Sequence, residues 1–210
     1  MLADYEVWRV QPPGRPPRTA ETPATDIEAW LAPIAHELQA WNDAPWCIYG
    51  HSMGALVAVE AAQRTIDAGG RAPLVAFVAA CAAPHPDRRR ARLSTLPERE
   101  FQHALERFGG TPPAILEDPA LLTLLSGAVR ADLAVLESHV PRALGSYEFP
   151  IVALAGTADR AVSIQEAETW RQCGKRQFRF YKIAGGHFFL QTSRAQVIEC
   201  IQMELERFLD

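Results

Sequence analysis

Three residues of this 210-residue chain are of the right types and spacing to carry one piece of chemistry together. Gly50-His51-Ser52-Met53-Gly54 fits G-x-S-x-G where an apolar run, Trp46-Cys47-Ile48-Tyr49-Gly50, gives way to a helix-forming one that starts at Ala55. A serine on so sharp a strand-to-helix turn has strained backbone angles, and flanking glycines let the chain pack closely enough to present its Oγ above a sheet. The N–H of Met53, at the new helix's N-terminus, would face a developing oxyanion with an unpaired amide and the helix dipole behind it. A serine hydroxyl also needs a base to take its proton and an acid to orient that base. Asp159 follows the apolar run Pro150-Ile151-Val152-Ala153-Leu154-Ala155-Gly156, and His187 follows Gln177-Phe178-Arg179-Phe180-Tyr181-Lys182-Ile183, giving the order serine, acid, base. Each lies just past a strand-like run, and loops at the carboxyl ends of parallel strands share one edge of the sheet.

Singly, the glycine pattern could be an ordinary turn, Asp159 a helix cap and His187 a hydrogen-bonded core histidine. Their coincidence at three strand ends favours a nucleophile, an acid and a base. The other histidines, His36, His51, His85, His103 and His139, lack the paired spacing of metal ligands, so neither a metal nor another cofactor is expected. His51, next to the serine, is expected to shape the turn and to point away from the base position. Arg88, Arg89, Arg90 and Arg92 form the one basic cluster, which reads either as a solvated loop or as a dock for an acidic partner.

The elements that must hold these residues alternate. Strand-like runs fall at 5–10, 46–50, 74–81, 150–156 and 177–183, with helical patterns between most of them. From Asp26 to Trp41, Ile27, Trp30, Leu31, Ile34, Leu38 and Trp41 share one helix face, and Thr25 with Glu28 suits a capping box. A second helix follows Ser52 and stops at Gly69-Gly70, and a third ends at Cys173 before Gly174. Such alternation with near-continuous apolar strands predicts an α/β fold, a mostly parallel sheet with helices on both faces, in a single domain spanning 1–210. Residues 97–140 break the rhythm with helical segments at 97–108, 117–125 and 128–139, and are expected to form a helical lid inserted over the sheet's C-terminal edge, the alternative being a helical subdomain with no gating role.

Composition narrows the partners. With a formal net charge of -4 there is no basic footprint, so nucleic acid and anionic membranes are not expected partners. Cys47, Cys81, Cys173 and Cys200 are widely spaced and read as reduced, buried thiols; with no apolar run near the ~18 residues of a membrane span, the expectation is a cytoplasmic protein.

With these residues located, the sequence resembles the type II thioesterases, editing hydrolases of nonribosomal peptide and polyketide synthesis with an α/β-hydrolase fold. The resemblance covers nearly the whole chain. It rests on Val10-Gln11-Pro12-Pro13-Gly14-Arg15, the Gly50-to-Ala55 elbow and the stretch Arg107-Phe108-Gly109-Gly110-Thr111-Pro112-Pro113. It continues in Leu116-Glu117-Asp118-Pro119, Arg130-Ala131-Asp132 and Gly185-Gly186-His187-Phe188-Phe189. It implies hydrolysis of acyl thioesters on the phosphopantetheine arm of an acyl or peptidyl carrier protein, with the lid covering an acyl chamber. Phe101, Leu105, Phe108, Ile115 and Leu136 are the candidate lining. Carrier domains are acidic, which makes the four arginines a candidate docking surface.

Family members begin with a strand and a His-Ala-Gly-Gly-like loop that donates a second oxyanion N–H, whereas here four residues precede the run at 5–10. Loss of one such donor costs on the order of 10²–10³ in kcat. Loss of the strand would bare a sheet edge. The favoured explanation is a truncated or mis-set start of a longer active enzyme; the other is a natural short form of altered activity that dimerises through the edge. A general carboxylesterase on the same three residues, and an inactive carrier-binding module, are the competing functions.

Overall fold

The computed structural model describes residues 5–15, 17–40, 44–85, 92–108 and 119–209. Four strands, β1 (Ile48–His51), β2 (Ala76–Ala79), β3 (Ile151–Gly156) and β4 (Phe178–Ile183), form one parallel sheet in sequence order. Gly50 lies opposite Val78, Val78 opposite Ala153, and Ala153 opposite Phe180. Because side chains alternate along a strand, β2 and β3 feed two cores. Ala76, Val78, Ile151 and Ala153 pack on one face with Ala55, Val59 and Ala62 of helix α2 (Met53–Asp67) and with Trp170. Phe77, Ala79, Val152 and Leu154 pack on the other with Phe189 of α6 (Phe189–Thr192) and with Val197 and Leu205 of α7 (Arg194–Leu209). Both inner strands are buried throughout, which is why they read as unbroken apolar runs.

The small side chains on α2 let it lie close to the sheet; Ala55, Ala61 and Ala62 have no exposed surface. The helix closes where the sequence says it must, with Gly69 at φ 82° and its N–H donating to the Ile66 carbonyl. Helix α1 (Glu28–Ala40) lays Leu31 and Leu38 against Leu56, Val57 and Ala61 of α2 and Val135 of α4 (Pro119–Ser138). Helix α3 (Glu98–Phe108) and α4 share a smaller core of Phe101, Leu105 and Leu133. A short α5 (Ile164–Glu168) starts from a capping box of Ser163 and Glu166 and runs into a single 3₁₀ turn holding the buried Trp170.

Three local expectations are corrected. Residues 5–10 are not a strand: Val7, Trp8 and Val10 are 73%, 65% and 54% exposed, and β1 pairs with β2 alone among the described strands. Strand propensity without a neighbour to complete the ladder does not by itself make a strand. At α1, Thr25 and Glu28 form no capping box. The Asp26 carboxylate accepts the Glu28 N–H at 2.8 Å, Ser138 accepts that of Ile27 at 3.0 Å, and the Glu28 carboxylate pairs with Arg64 instead. Where two segments were expected, at 117–125 and 128–139, one helix runs unbroken over Pro119–Ser138, because an isolated Gly127 weakens a helix by about 1 kcal/mol without ending it.

Cys81, Cys173 and Cys200 are buried and Cys47 is exposed; all four are free thiols. No helix among the described residues is long and apolar enough to cross a membrane.

Candidate active site

Ser52 stands between the last residue of β1 and the first of α2, at φ 55° and ψ -121°, a left-handed conformation that side-chain-bearing residues rarely adopt. Its N–H donates to the Ala79 carbonyl at 2.8 Å, which extends the β1–β2 ladder by one residue and holds the strained turn to the sheet. Of the flanking glycines, Gly50 lies directly beneath the first turn of α2, whereas Gly54 has open space where a Cβ would be. Close packing therefore rests on the first glycine alone.

The expected acid and base converge on this serine. Nε2 of His187 is 3.0 Å from Ser52 Oγ, and Nδ1 is 2.9 Å from Asp159 Oδ2. The side chains of His187 and Asp159 are 2% and 1% exposed, so the pair is shielded from water. Burial works against the charge on Asp159. The hydrogen bond from His187, and those its Oδ1 accepts from the N–H groups of Val162 and Ala161 at 3.0 and 2.8 Å, outweigh it and hold the carboxyl below the usual range. Asp159 is thus a charged acceptor, and the His187 Nδ1 that meets it carries the hydrogen between them.

The two loops that carry acid and base are fastened to each other. The N–H of Ala158 donates to the Gly185 carbonyl at 2.8 Å, and a Cβ on Gly156 would lie 2.6 Å from the Gly186 carbonyl oxygen. Gly185 itself sits at φ 119°, a value that glycine alone adopts without strain. Met53, as the first residue of α2, has an N–H with no intrahelical acceptor, and its side chain joins the cluster containing Val135 and Leu136 of α4.

Other expected site residues fall differently. Arg92 is exposed, and Arg88, Arg89 and Arg90 lie outside the described residues, as do Ile115 and the side chain of Phe108. Phe101 and Leu105, expected to line a chamber, are 0% and 4% exposed within the core that α3 and α4 share, where the Arg130 guanidinium lies 3.9 Å from the centre of the Phe101 ring. They are packing residues. Among the described residues no group of three or more His, Cys, Asp or Glu side chains is arranged to hold a metal ion.

Sequence reasoning left one contact unseen. His51, expected to point away from the base position, has its Nε2 2.7 Å from the backbone carbonyl of His187 and its Nδ1 3.3 Å from the Tyr49 hydroxyl. The signal available in the sequence was the i, i+2 spacing of Tyr49 and His51, which puts both on the same side of β1.

A buried imidazole between an ionised carboxylate and a serine hydroxyl, with an unpaired helix N-terminal amide beside the serine, can carry out acyl transfer through a serine ester. Comparison with known proteins points the same way. A model of the thioesterase domain family matches residues 2–205. Gramicidin S biosynthesis protein GrsT of Aneurinibacillus migulanus is 34% identical over 204 residues, covering 96% of this chain and 80% of that one. Among solved structures, the thioesterase RedJ from the prodiginine pathway of Streptomyces coelicolor superposes with a TM-score of 0.83 at 29% identity, covering 93% of this chain and 78% of that one. BorB, a type II thioesterase from the borrelidin biosynthetic cluster, gives a TM-score of 0.79 at 32% identity, covering 93% and 79%.

Proposed function

The chain belongs to the thioesterase domain family and has the α/β-hydrolase fold of its type II thioesterase neighbours, and from that premise we propose that its substrates are acyl groups on the phosphopantetheine arm of a carrier protein. It is a serine hydrolase acting on thioesters. Within that activity we assign Ser52 as nucleophile, His187 as base and then acid, Asp159 as the charge that orients His187, and the Met53 N–H as an oxyanion donor. The observation that carries the assignment is the 3.0 Å approach of His187 Nε2 to Ser52 Oγ, backed by Asp159 at 2.9 Å.

In this reading Ser52 Oγ attacks the thioester carbonyl carbon while its proton passes to His187 Nε2. The carbonyl oxygen becomes an oxyanion facing the Met53 N–H. Collapse breaks the carbon–sulfur bond, the sulfur takes the proton from His187, and the acyl group stays on Ser52. Water then repeats the sequence, giving up a proton to His187, releasing the carboxylic acid and returning the proton to Ser52. Residues 97–140 act as a lid within the single domain. Support for this comes from α4, whose Val135 and Leu136 share a cluster with Met53. Arg88, Arg89, Arg90 and Arg92 form the surface that an acidic carrier domain meets.

Intact-mass spectrometry of an acetyl-loaded carrier domain tests the proposal. The wild-type chain is expected to remove acetyl and Ser52→Ala to leave it in place. Glutamates at the four arginines are expected to raise the carrier concentration needed for half-maximal loss. Retention of acetyl by a folded wild-type sample would count against carrier-bound thioesters as the substrate of this chain.

A further inference from the structure

His51 is bound on both sides of its ring, and the chemistry of its partners fixes how. A backbone carbonyl can only accept, so at the 2.7 Å contact with the His187 carbonyl it is His51 Nε2 that carries a hydrogen. The neutral ring then has a bare Nδ1, and the Tyr49 hydroxyl, 3.3 Å away, is the donor to it. The ring is also clasped by the residues that follow the base: Phe189 lies tilted against it at 5.1 Å between centroids, and Phe188 stacks at 6.2 Å with 16° between the planes.

The residue so gripped is the one whose ring must sit between Asp159 and Ser52. Hydrogen bonds to those two side chains define the His187 ring but not its backbone. That backbone follows Gly185-Gly186, a stretch without side chains in which Gly185 is at φ 119°. His51, joined directly to Ser52, ties that backbone to β1. We propose that His51 is a positioning residue: through Tyr49 O–H to Nδ1 and Nε2–H to the His187 carbonyl, it couples the nucleophile's strand to the backbone of the base. The proposal rests on the assignment of Ser52 and His187 above. Burial also pushes the His51 pKa down to about 4, so the ring is neutral, with the single tautomer this link requires, at neutral pH.

Steady-state kinetics on a small soluble acyl thioester test the link. His51→Phe keeps a ring between Phe188 and Phe189 but has no N–H for the carbonyl, whereas His51→Gln offers an amide N–H at comparable reach. The expected result for Phe is a fall in kcat of about 10- to 100-fold, the scale on which misplacing a reacting group by about an ångström acts, with KM within about twofold of wild type. Gln is expected to restore most of kcat. Full kcat in His51→Phe, or a Gln variant no better than Phe, would overturn the positioning role. An inactive wild type would instead overturn the thioesterase assignment, so the two failures are separable. Nitrogen-15 NMR of the wild-type imidazoles needs no variant to fold: it is expected to show His51 protonated at Nε2 only, and a ring protonated at Nδ1 would sink the proposal.

Discussion

A Cβ built on Gly50 would lie 2.1 Å from the carbonyl oxygen of Gly54 and 2.5 Å from Cα of Ala55, whereas one built on Gly54 meets nothing within 4 Å. The first clash is with backbone, which cannot swing aside, so Gly50→Ala must lift the start of α2 off β1 and move Ser52 with it. Overpacking of this kind is expected to cost about 3 kcal/mol. At Gly54, inside the helix, alanine's better propensity is expected to leave stability unchanged or to raise it by up to about 1 kcal/mol. Urea denaturation of the two variants checks the contrast, and equal losses would contradict it. The pattern G-x-S-x-G gives both glycines the same weight, because it records residue types and not what lies above them. The meeting of Ser52, Asp159 and His187 was legible for a different reason: each lies at a strand end, and apolar runs mark strand ends. What the sequence left hidden was the hold on the base's backbone by His51, a contact between a side chain and a carbonyl 136 positions away.

At the scale of elements, α3 and α4 show where reading by pattern stops. The existence of α3 and α4 was plain from periodicity, but the unbroken run of α4 through Gly127 was not, and neither was the work of its polar residues. Arg130 donates to the carbonyls of Ser94 and Leu96, both at 2.8 Å, and to Glu98 Oε2 at 2.9 Å, while lying over Phe101. From the last turn of the helix, Glu137 accepts the N–H groups of Leu93 and Ser94 at 2.7 and 3.0 Å. Asp132 pairs with Arg15, which also donates to the Ala128 carbonyl at 3.3 Å. The segments that resemble the family at 10–15 and 130–132 are thus two halves of one attachment, between a loop before α1 and the outer helix. Arg130→Met keeps an apolar stem over Phe101 but strips the carbonyls of their donor, which is expected to cost about 2 kcal/mol. Arg130→Lys recovers only part, since an ammonium cannot reproduce a planar fork. Limited proteolysis is the direct readout: cleavage within 92–138 is expected to run several times faster in Arg130→Met, and an unchanged rate would mean the apolar contacts alone hold α3 to α4.

Across the whole molecule, folding is tied to the ionisation of buried carboxylates that lie far apart in the sequence. Asp159 joins the loop after β3 to His187 in the loop after β4. Glu60, on α2 and 4% exposed, accepts from His139 Nε2 and Arg142 Nε, both at 2.8 Å, and from the Tyr147 hydroxyl at 2.7 Å, tying the nucleophile's helix to the chain between α4 and β3. For Glu60, burial opposes the charge, but the hydrogen bonds from His139, Tyr147 and Arg142 outweigh it and leave the carboxyl below its ordinary range, as for Asp159. A carboxyl whose folded pKa is depressed contributes stability that is present above its unfolded value, about 4, and is lost as pH falls through the folded one, because the unfolded chain takes up the proton first. Asp132 has the opposite sign. Burial raises its pKa more than the attraction of Arg15 lowers it, so the native state binds that proton first and its contribution to stability declines as pH rises. Glu60 and Asp159 therefore make the fold lose stability in acid, as does His51, whose burial keeps it neutral while the unfolded chain takes up a proton, and Asp132 offsets them. The free energy of unfolding from urea titrations between pH 6 and pH 3 is expected to fall less steeply in Glu60→Gln and in Asp159→Asn than in wild type, by up to about 1.4 kcal/mol per pH unit for each proton removed from the balance. In Asp132→Asn it is expected to fall more steeply. The slopes decide the matter rather than the absolute stabilities, since each substitution also breaks a neutral-pH contact. A slope unchanged by Glu60→Gln would show that the ties among α2, His139 and Arg142 do not depend on the charge of Glu60.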